Sequence, residues 1–388
     1  MGRLIIELRG VEFQNKGAEL MLYAILEKLK SEIPSAYFVM EKRSNATISS
    51  QRKVGIYTKL NIKKFGIDTS LIGKVFPFFI RERFGFILES EINVVLDGSG
   101  FAFGDFWGAE KAGQRLANHI ESWKRQGKTV IMLSQAFGPF EDPKLKEKMK
   151  VILNNADLIF ARDNYSYEYL KTIPANQTNI HLRPDFTNLI TGVAPSSFDA
   201  DKNQIAIIPN NKLIESKVFL NRNDYIDFLA TTVSEIEQAH KKPFFLIHEG
   251  VKDLQLAQDV NVRHGKNTSI IVVENPLEVK GIIGLCEAVI TSRFHGLVSA
   301  LSQAVPCLCV GWSHKYVALM ENYNFSEGLI KNEQLHGENL RAKLELVLTT
   351  ASQLAIRARL KNASEKQKSL SQDMWKMVVE TIKTTSYD

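Results

Sequence analysis

Short β-branched runs alternate along this chain with longer amphipathic segments, and that alternation leaves few folds open. Strands and helices in strict alternation stack as βαβ units around a parallel sheet. In the first half the pattern predicts strands at 4–8, 92–97, 129–133 and 158–161, and helices at about 18–30, 109–125, 143–154 and 164–171. Residues 191–203, rich in Gly, Pro, Ser and Asp, break the rhythm and read as a linker. A second series then predicts strands at 204–208, 243–248, 269–273, 288–291 and 307–311, with helices at about 224–240, 254–263, 276–285, 296–303 and 316–322. The tail from Glu333 reads as helical. A chain of 388 residues exceeds the usual size of one core. The fold class is therefore α/β, with two doubly wound Rossmann-like domains at 1–190 and 204–332 and C-terminal helices at 333–388. Ligands of such domains bind at the carboxyl ends of the strands, so a cleft between the domains is where chemistry is expected.

Composition narrows the partners. The chain is 44% hydrophobic and 24% charged, with a formal charge of +6. That excess favours phosphates, carboxylates, anionic glycans or a membrane surface, and is too small for a nucleic-acid-binding tail. No nucleic-acid module is recognisable, so no nucleic-acid partner is expected. The run Met1–Leu8 meets Arg9 and Glu12 too soon for a signal peptide, and no stretch of about 18 apolar residues occurs. Cys286, Cys307 and Cys309 are too few and odd in number for a disulfide framework, and the last two share one face of an apolar strand. The expected location is cytoplasmic. One region departs from the rhythm and reads as an insertion over about 42–90. Residues 42–83 hold ten Lys or Arg against two acids, and the run Val75–Leu88 is aromatic and basic. It suits a glycan-binding lid or peripheral contact with the inner face of a membrane; the alternative is aromatics packed under the first domain.

Six motifs stand at predicted strand ends. Asn15-Lys16-Gly17-Ala18-Glu19-Leu20 opens the first helix, where outward N–H groups favour an anion. Asn15 as N-cap and Glu19 as first-turn acid also describe an ordinary capped helix. In Asp97-Gly98-Ser99-Gly100 the glycines Gly98 and Gly100 would let the backbone approach a ligand, although the spacing is not that of a dinucleotide site. The following aromatic stretch to Trp107 stacks on a sugar or buries itself. Gln135 either faces the cleft or is merely a polar residue of a loop. Arg162-Asp163 follows an apolar strand: Asp163 reads as an N-cap, and Arg162 suits a two-point grip on a carboxylate or phosphate. The alternative is a structural ion pair. The strongest motif is Thr291-Ser292-Arg293-Phe294-His295-Gly296, where a guanidinium and an imidazole meet a helix N-terminus and make an anion pocket. In Gly311-Trp312-Ser313-His314-Lys315-Tyr316, Lys315 is a further candidate cation for a phosphate, with His314 beside it.

In order and spacing these motifs resemble the polysaccharide pyruvyl transferase family. NKGAEL, ADLIFARDNYSYEYL and SRFHGLVSALSQAVPCLCVGWSHKY carry the likeness, which spans roughly residues 5–320. Ala18 stands where the family often has Asp, and Ser99 interrupts a usual Gly-Gly pair. The resemblance implies a fold like that of B-type glycosyltransferases, with the last helices crossing back to the first domain. It implies phosphoenolpyruvate as donor and a sugar or lipid-linked oligosaccharide as acceptor, the acceptor on the first-domain side. Carried over residue by residue, Arg162, Arg293 and His295 hold the donor and Phe294 lines its pocket. No cofactor and no metal are expected. The implied product is a pyruvate ketal, made during cell-surface or exopolysaccharide synthesis. His295 is the candidate acid or phosphate ligand, and the base stays open among Asp97, Asp163, Asp185 and Glu249. Two readings compete: a nucleotide-sugar glycosyltransferase of the same architecture, and a non-catalytic glycan-binding relative.

Overall fold

The computed structural model describes residues 2–60, 63–64, 67–68, 76–265, 267–311 and 313–385; Val75 and Trp312, named above, lie outside the described residues. The chain forms two compact units. The first comprises 1–14, 21–185 and 372–388, and the second comprises 15–20 and 186–371.

In the first unit β1 (Ile5–Arg9) leads through α1 (Lys16–Glu32) to β2 (Tyr37–Glu41), α2 (Ile48–Lys53) and β3 (Tyr57–Leu60). The short pair β4 (Lys63–Lys64) and β5 (Ile67–Asp68) precedes α3 (Phe78–Arg83), β6 (Phe86–Leu88), β7 (Val94–Asp97) and β8 (Phe101–Phe103). Then come α4 (Gly108–Ala112), α5 (Ile120–Arg125), β9 (Thr129–Phe137), α6 (Pro143–Asn155), β10 (Leu158–Ala161), α7 (Asn164–Lys171) and β11 (Ile180–Leu182). The sheet is parallel in the order β11-β10-β9-β7-β1-β2-β3-β6, and β8 adds to β9. β1, β7 and β10 are buried at every position, as strands covered by helices on both faces must be. Helices start where local chemistry favours it: Asp142 caps α6 with Pro143 in its first turn, and Asp163 caps α7 by accepting from the Ser166 N–H. The strand order reverses between β1 and β7, which is where an open α/β sheet forms its binding crevice.

Three features differ from the sequence reading. At its described residues the stretch 42–90 is in part sheet rather than insertion, because β3 and β6 complete the sheet and Thr58, Ile87 and Leu88 are buried. Part of its positive charge is absorbed by distant acids. Glu7 Oε1 accepts from Lys59 Nζ at 2.7 Å and Arg9 Nη1 at 2.9 Å, all three residues being buried. Arg81 pairs through both terminal nitrogens with Glu91. The aromatics divide: Phe78 packs edge-on against Tyr37, whereas Phe76, Phe79 and Phe84 are exposed. Second, the helix expected over 109–125 is interrupted by a π turn at Gly113–Ala117. Arg9 explains the break, since its Nε and Nη2 donate to the carbonyls of Arg115 and Gln114 at 3.1 and 3.3 Å. Third, β9 runs on to Phe137, so Gln135 is a buried strand residue rather than a loop residue.

The second unit holds β12 (Ile205–Ile208), α8 (Lys212–Glu215), α9 (Arg222–Gln238), β13 (Pro243–Ile247), α10 (Gly250–His264), β14 (Ser269–Val272) and α11 (Pro276–Leu285). It continues with β15 (Ala288–Thr291), α12 (Phe294–Ser302), β16 (Cys307–Val310), α13 (His314–Asn322), β17 (Leu329–Ile330), α14 (Gly337–Leu348) and α15 (Thr350–Lys383). Its parallel sheet has the order β14-β13-β12-β15-β16-β17, the doubly wound arrangement, with its switch point between β12 and β15. One apolar layer joins the sheet to α9, α10 and α14, and the other joins it to α11, α12, α13 and α15. All three cysteines are buried here, and burial pushes the Cys286 thiol up to about 12. Among the described residues no helix is long and apolar enough to cross a membrane.

Candidate functional site

In the second unit the strongest motif occupies the switch point itself. β15 ends at Thr291, whose Oγ1 accepts from the Arg293 N–H at 3.0 Å and turns the chain into α12. Two neighbours clamp the turn through the Ser292 carbonyl: Asn210 Nδ2 at 2.6 Å and Tyr316 Oη at 3.1 Å. The Arg293 guanidinium is held on two sides. Asp253, in the first turn of α10, accepts from Nε at 3.0 Å and from Nη2 at 2.5 Å. Glu249, just beyond β13, accepts from Nη1. Glu249 also accepts from Asn15 Nδ2 at 2.9 Å, while Asn15 Oδ1 caps α1 through the Ala18 N–H at 3.0 Å. The NKGAEL turn follows the first strand in sequence, but residues 15–20 group with the second unit.

Gly17 explains the glycine of that turn. A Cβ there would stand 2.3 Å from His295 Nδ1, so only glycine lets the main chain approach the imidazole this closely. Lys16 pairs with Glu19 at 2.9 Å, so Glu19 is engaged within its own helix turn, and burial raises its carboxyl. His248 lies beneath. Burial, with Arg293, His295 and Lys16 adding positive charge, holds its imidazole well below the usual range and therefore neutral. Burial pushes the Asp253 carboxyl up to about 6 even with Arg293 beside it. Phe294 is buried, edge-on to His295 and Tyr316. The Lys315 ammonium lies over the Phe294 ring at 5.2 Å. His314 is half-buried at the start of α13. This unit thus gathers Asn15, Glu249, Asp253, Arg293, Phe294, His295 and Lys315. Sequence reasoning missed Asp253 and His248. The available signal was an imidazole at the end of β13 and an acid in the helix that follows it, one strand removed from the Arg-x-His strand in the sheet.

In the first unit Asp97 ends β7 fully buried. It accepts from the Ser99 N–H at 3.1 Å, from Ser99 Oγ at 3.0 Å and from Gln135 Nε2 at 3.1 Å. Gln135 therefore faces Asp97. The glycines beside it are closely packed. A Cβ on Gly98 would stand 3.1 Å from Val11 and 3.3 Å from Ile25, and Gly100, at φ +70°, rests on Met21. Arg162 follows an irregularity in the pairing of β10 with β9. Its guanidinium is buried and pairs with Asp185 at 3.2 Å, not with Asp163, which caps α7. An ion pair is thus present at this motif, with a partner that neighbouring sequence does not reveal.

Residues 15–314 match the family model for polysaccharide pyruvyl transferase. The chain belongs to that family. The match begins at the Asn15 turn, spans Arg162, Arg293 and His295, and ends at His314. Solved structures share the fold at 11% identity. HepE of Anabaena in complex with UDP-glucose has a TM-score of 0.58 over 97% of this chain and 100% of its own. A protein of Listeria monocytogenes described as a UDP-N-acetylglucosamine 2-epimerase has 0.61 over 100% and 98%. A glycosyltransferase of Rickettsia africae has 0.55 over 100% of both chains. The fold of this family member is the B-type glycosyltransferase fold, and the family is one of transferases.

Proposed function

We propose that the protein moves the pyruvyl group of phosphoenolpyruvate onto two hydroxyls of a sugar, forming a pyruvate ketal. The observation that supports this most is the Arg293–His295 junction at the switch point of the second sheet, where an oriented guanidinium and a helix N-terminus suit a small anion. Asp253 fixes Nε and Nη2, so Nη1 is the edge offered to the donor carboxylate, which exchanges with Glu249. Glu249, released from Arg293, is then the candidate base for the acceptor hydroxyl. The hydroxyl oxygen adds to the donor C2 as a proton reaches the methylene carbon, leaving a tetrahedral carbon that carries the phosphate. The C–O bond to phosphate breaks, a second hydroxyl closes the ketal, and its proton leaves with phosphate. His295 is the candidate to supply the first proton or to hold the phosphate. The donor role of Arg162 rests on the resemblance. We place the reaction in the cytoplasm, on a sugar or lipid-linked oligosaccharide, within cell-surface polysaccharide synthesis.

The test is twofold. Phosphoenolpyruvate should raise the unfolding temperature in a concentration-dependent way, and UDP-glucose should not. His295→Ala and Arg293→Gln, the latter keeping a donor toward Asp253, should lower acceptor-dependent phosphate release by about 100-fold or more. Stabilisation by UDP-glucose alone would instead favour a nucleotide-sugar glycosyltransferase. Near-full turnover in either variant would remove the assigned site.

A further inference from the structure

We propose that the first unit carries its own site for an anionic sugar, formed by Arg115 and Lys111 beside the exposed Phe106–Trp107 pair. The proposal rests on the pyruvyl-transfer reading and extends it by naming the acceptor class: a glycan bearing a carboxylate or a phosphate near the hydroxyls that react.

Arg115 is the key residue. It lies in the π turn and is half-buried, yet among the described residues no hydrogen bond or ion pair reaches its guanidinium. Its nitrogens still reach water, so the guanidinium is partly desolvated yet open to a ligand, and an anion beside it would gain from that partial burial. Its neighbours sharpen the point. Burial pushes both groups down; on Arg115 the largest charge effect is the opposing one of Asp97, followed by Arg43 and Arg9 as like charges, and Lys111 feels Arg115 and Arg43 as like charges. Asp97 and Glu12 offset this only in part. Arg9 is spoken for by Glu7 and two carbonyls, and Arg43 by Glu41, so Arg115 and Lys111 are the cations left to a ligand.

The surroundings suit a sugar. Phe106 and Trp107 are 54% and 40% exposed and meet edge-on at 4.9 Å, with the Lys111 ammonium 5.9 Å from the Trp107 ring. An exposed aromatic face takes the apolar side of a pyranose, and a planar guanidinium takes a carboxylate or phosphate by two parallel hydrogen bonds. The position fits as well. Arg9 ends β1 and Asp97 ends β7, the two strands between which the order of the first sheet reverses. The π turn gives the cluster its geometry, since Arg9 draws the Gln114 and Arg115 carbonyls aside; such turns recur at functional sites.

The experiment titrates the full-length protein with a neutral hexose, a hexuronic acid and a hexose 1-phosphate, following tryptophan fluorescence and calorimetry. At least one anionic sugar should bind roughly tenfold or more tightly than the neutral one, and the tighter of the two identifies carboxylate or phosphate as the natural group. Arg115→Gln should abolish that preference. Lys111→Gln, a milder change on a short surface helix, should weaken it about threefold or more. Equal affinity for neutral and anionic sugars, or a preference that survives both variants, overturns the proposal. Phosphoenolpyruvate stabilisation is read on the same samples. Equal affinity of the unaltered protein for neutral and anionic sugars with that response intact sinks only this inference, and the reverse pattern sinks only the donor reading.

Discussion

His295 and Gly17 meet so closely that a single methyl group decides whether they fit. Gly17→Ala should cost about 1–3 kcal/mol of stability, because the added carbon would stand 2.3 Å from the imidazole. Turnover should fall more steeply, by about tenfold or more, since the ring must swing away from its place. Equal activity in the two proteins would show that the imidazole has room to move. Asp253 gives a pH test. Its carboxyl is raised in the folded state to about 6, so the folded protein holds a proton that the unfolded chain has released. The group's contribution to stability is therefore full below about pH 4 and is lost as pH rises through about 6, a change of about 3 kcal/mol. Chemical unfolding between pH 4.5 and 7 should show wild type losing stability more steeply than Asp253→Asn; parallel curves would contradict the assignment. These residues also show where local sequence stops informing. Arg293 and His295 were legible because a strand ran directly into them. Asp253 was not, since an acid in a helix's first turn needs no partner, and its partner lies 40 residues further on. Arg162 was legible as a cation, but Asp185 as its partner was not.

Among elements, the π turn depends on one side chain. Arg9 holds two of its carbonyls, stacks over Trp123 and shares Glu7 with Lys59. Arg9→Met should cost about 3 kcal/mol by leaving Glu7 with one cation in a buried place. Amide exchange over residues 113–118 should quicken with it, and unchanged protection there would show that the turn stands without Arg9. Strands such as Leu158–Ala161 and Ala288–Thr291 were readable residue for residue because uniform burial leaves an unbroken apolar run. β3 was hidden by Lys59, whose charge is neutralised by a residue 52 positions earlier. β2 and β6, in and beside a charged stretch, were hidden likewise. Helix breaks are harder still, because the pull on the π turn comes from a different strand.

For the molecule as a whole, the chain visits each unit more than once. The last 17 residues, 372–388, belong to the first unit and include the buried side chains of Met374, Trp375, Val378 and Ile382. Each such burial is worth about 1.5–3 kcal/mol, so together they rival the whole stability of a domain. A chain ending at Ser371 should therefore lose the cooperative unfolding of the first unit while the second keeps its own; two intact calorimetric transitions would disprove this. The opposite excursion, residues 15–20, bears on how the family can be recombined. Hybrids of two family members are naturally spliced at the 185/186 boundary, on the assumption that each parent donates a finished half. Such a hybrid would set one parent's Asn15 and Gly17 against the other's Glu249 and His295. Its fitness would then turn on six residues near the start of the protein, and grafting those six along with the downstream half should restore what the splice had broken.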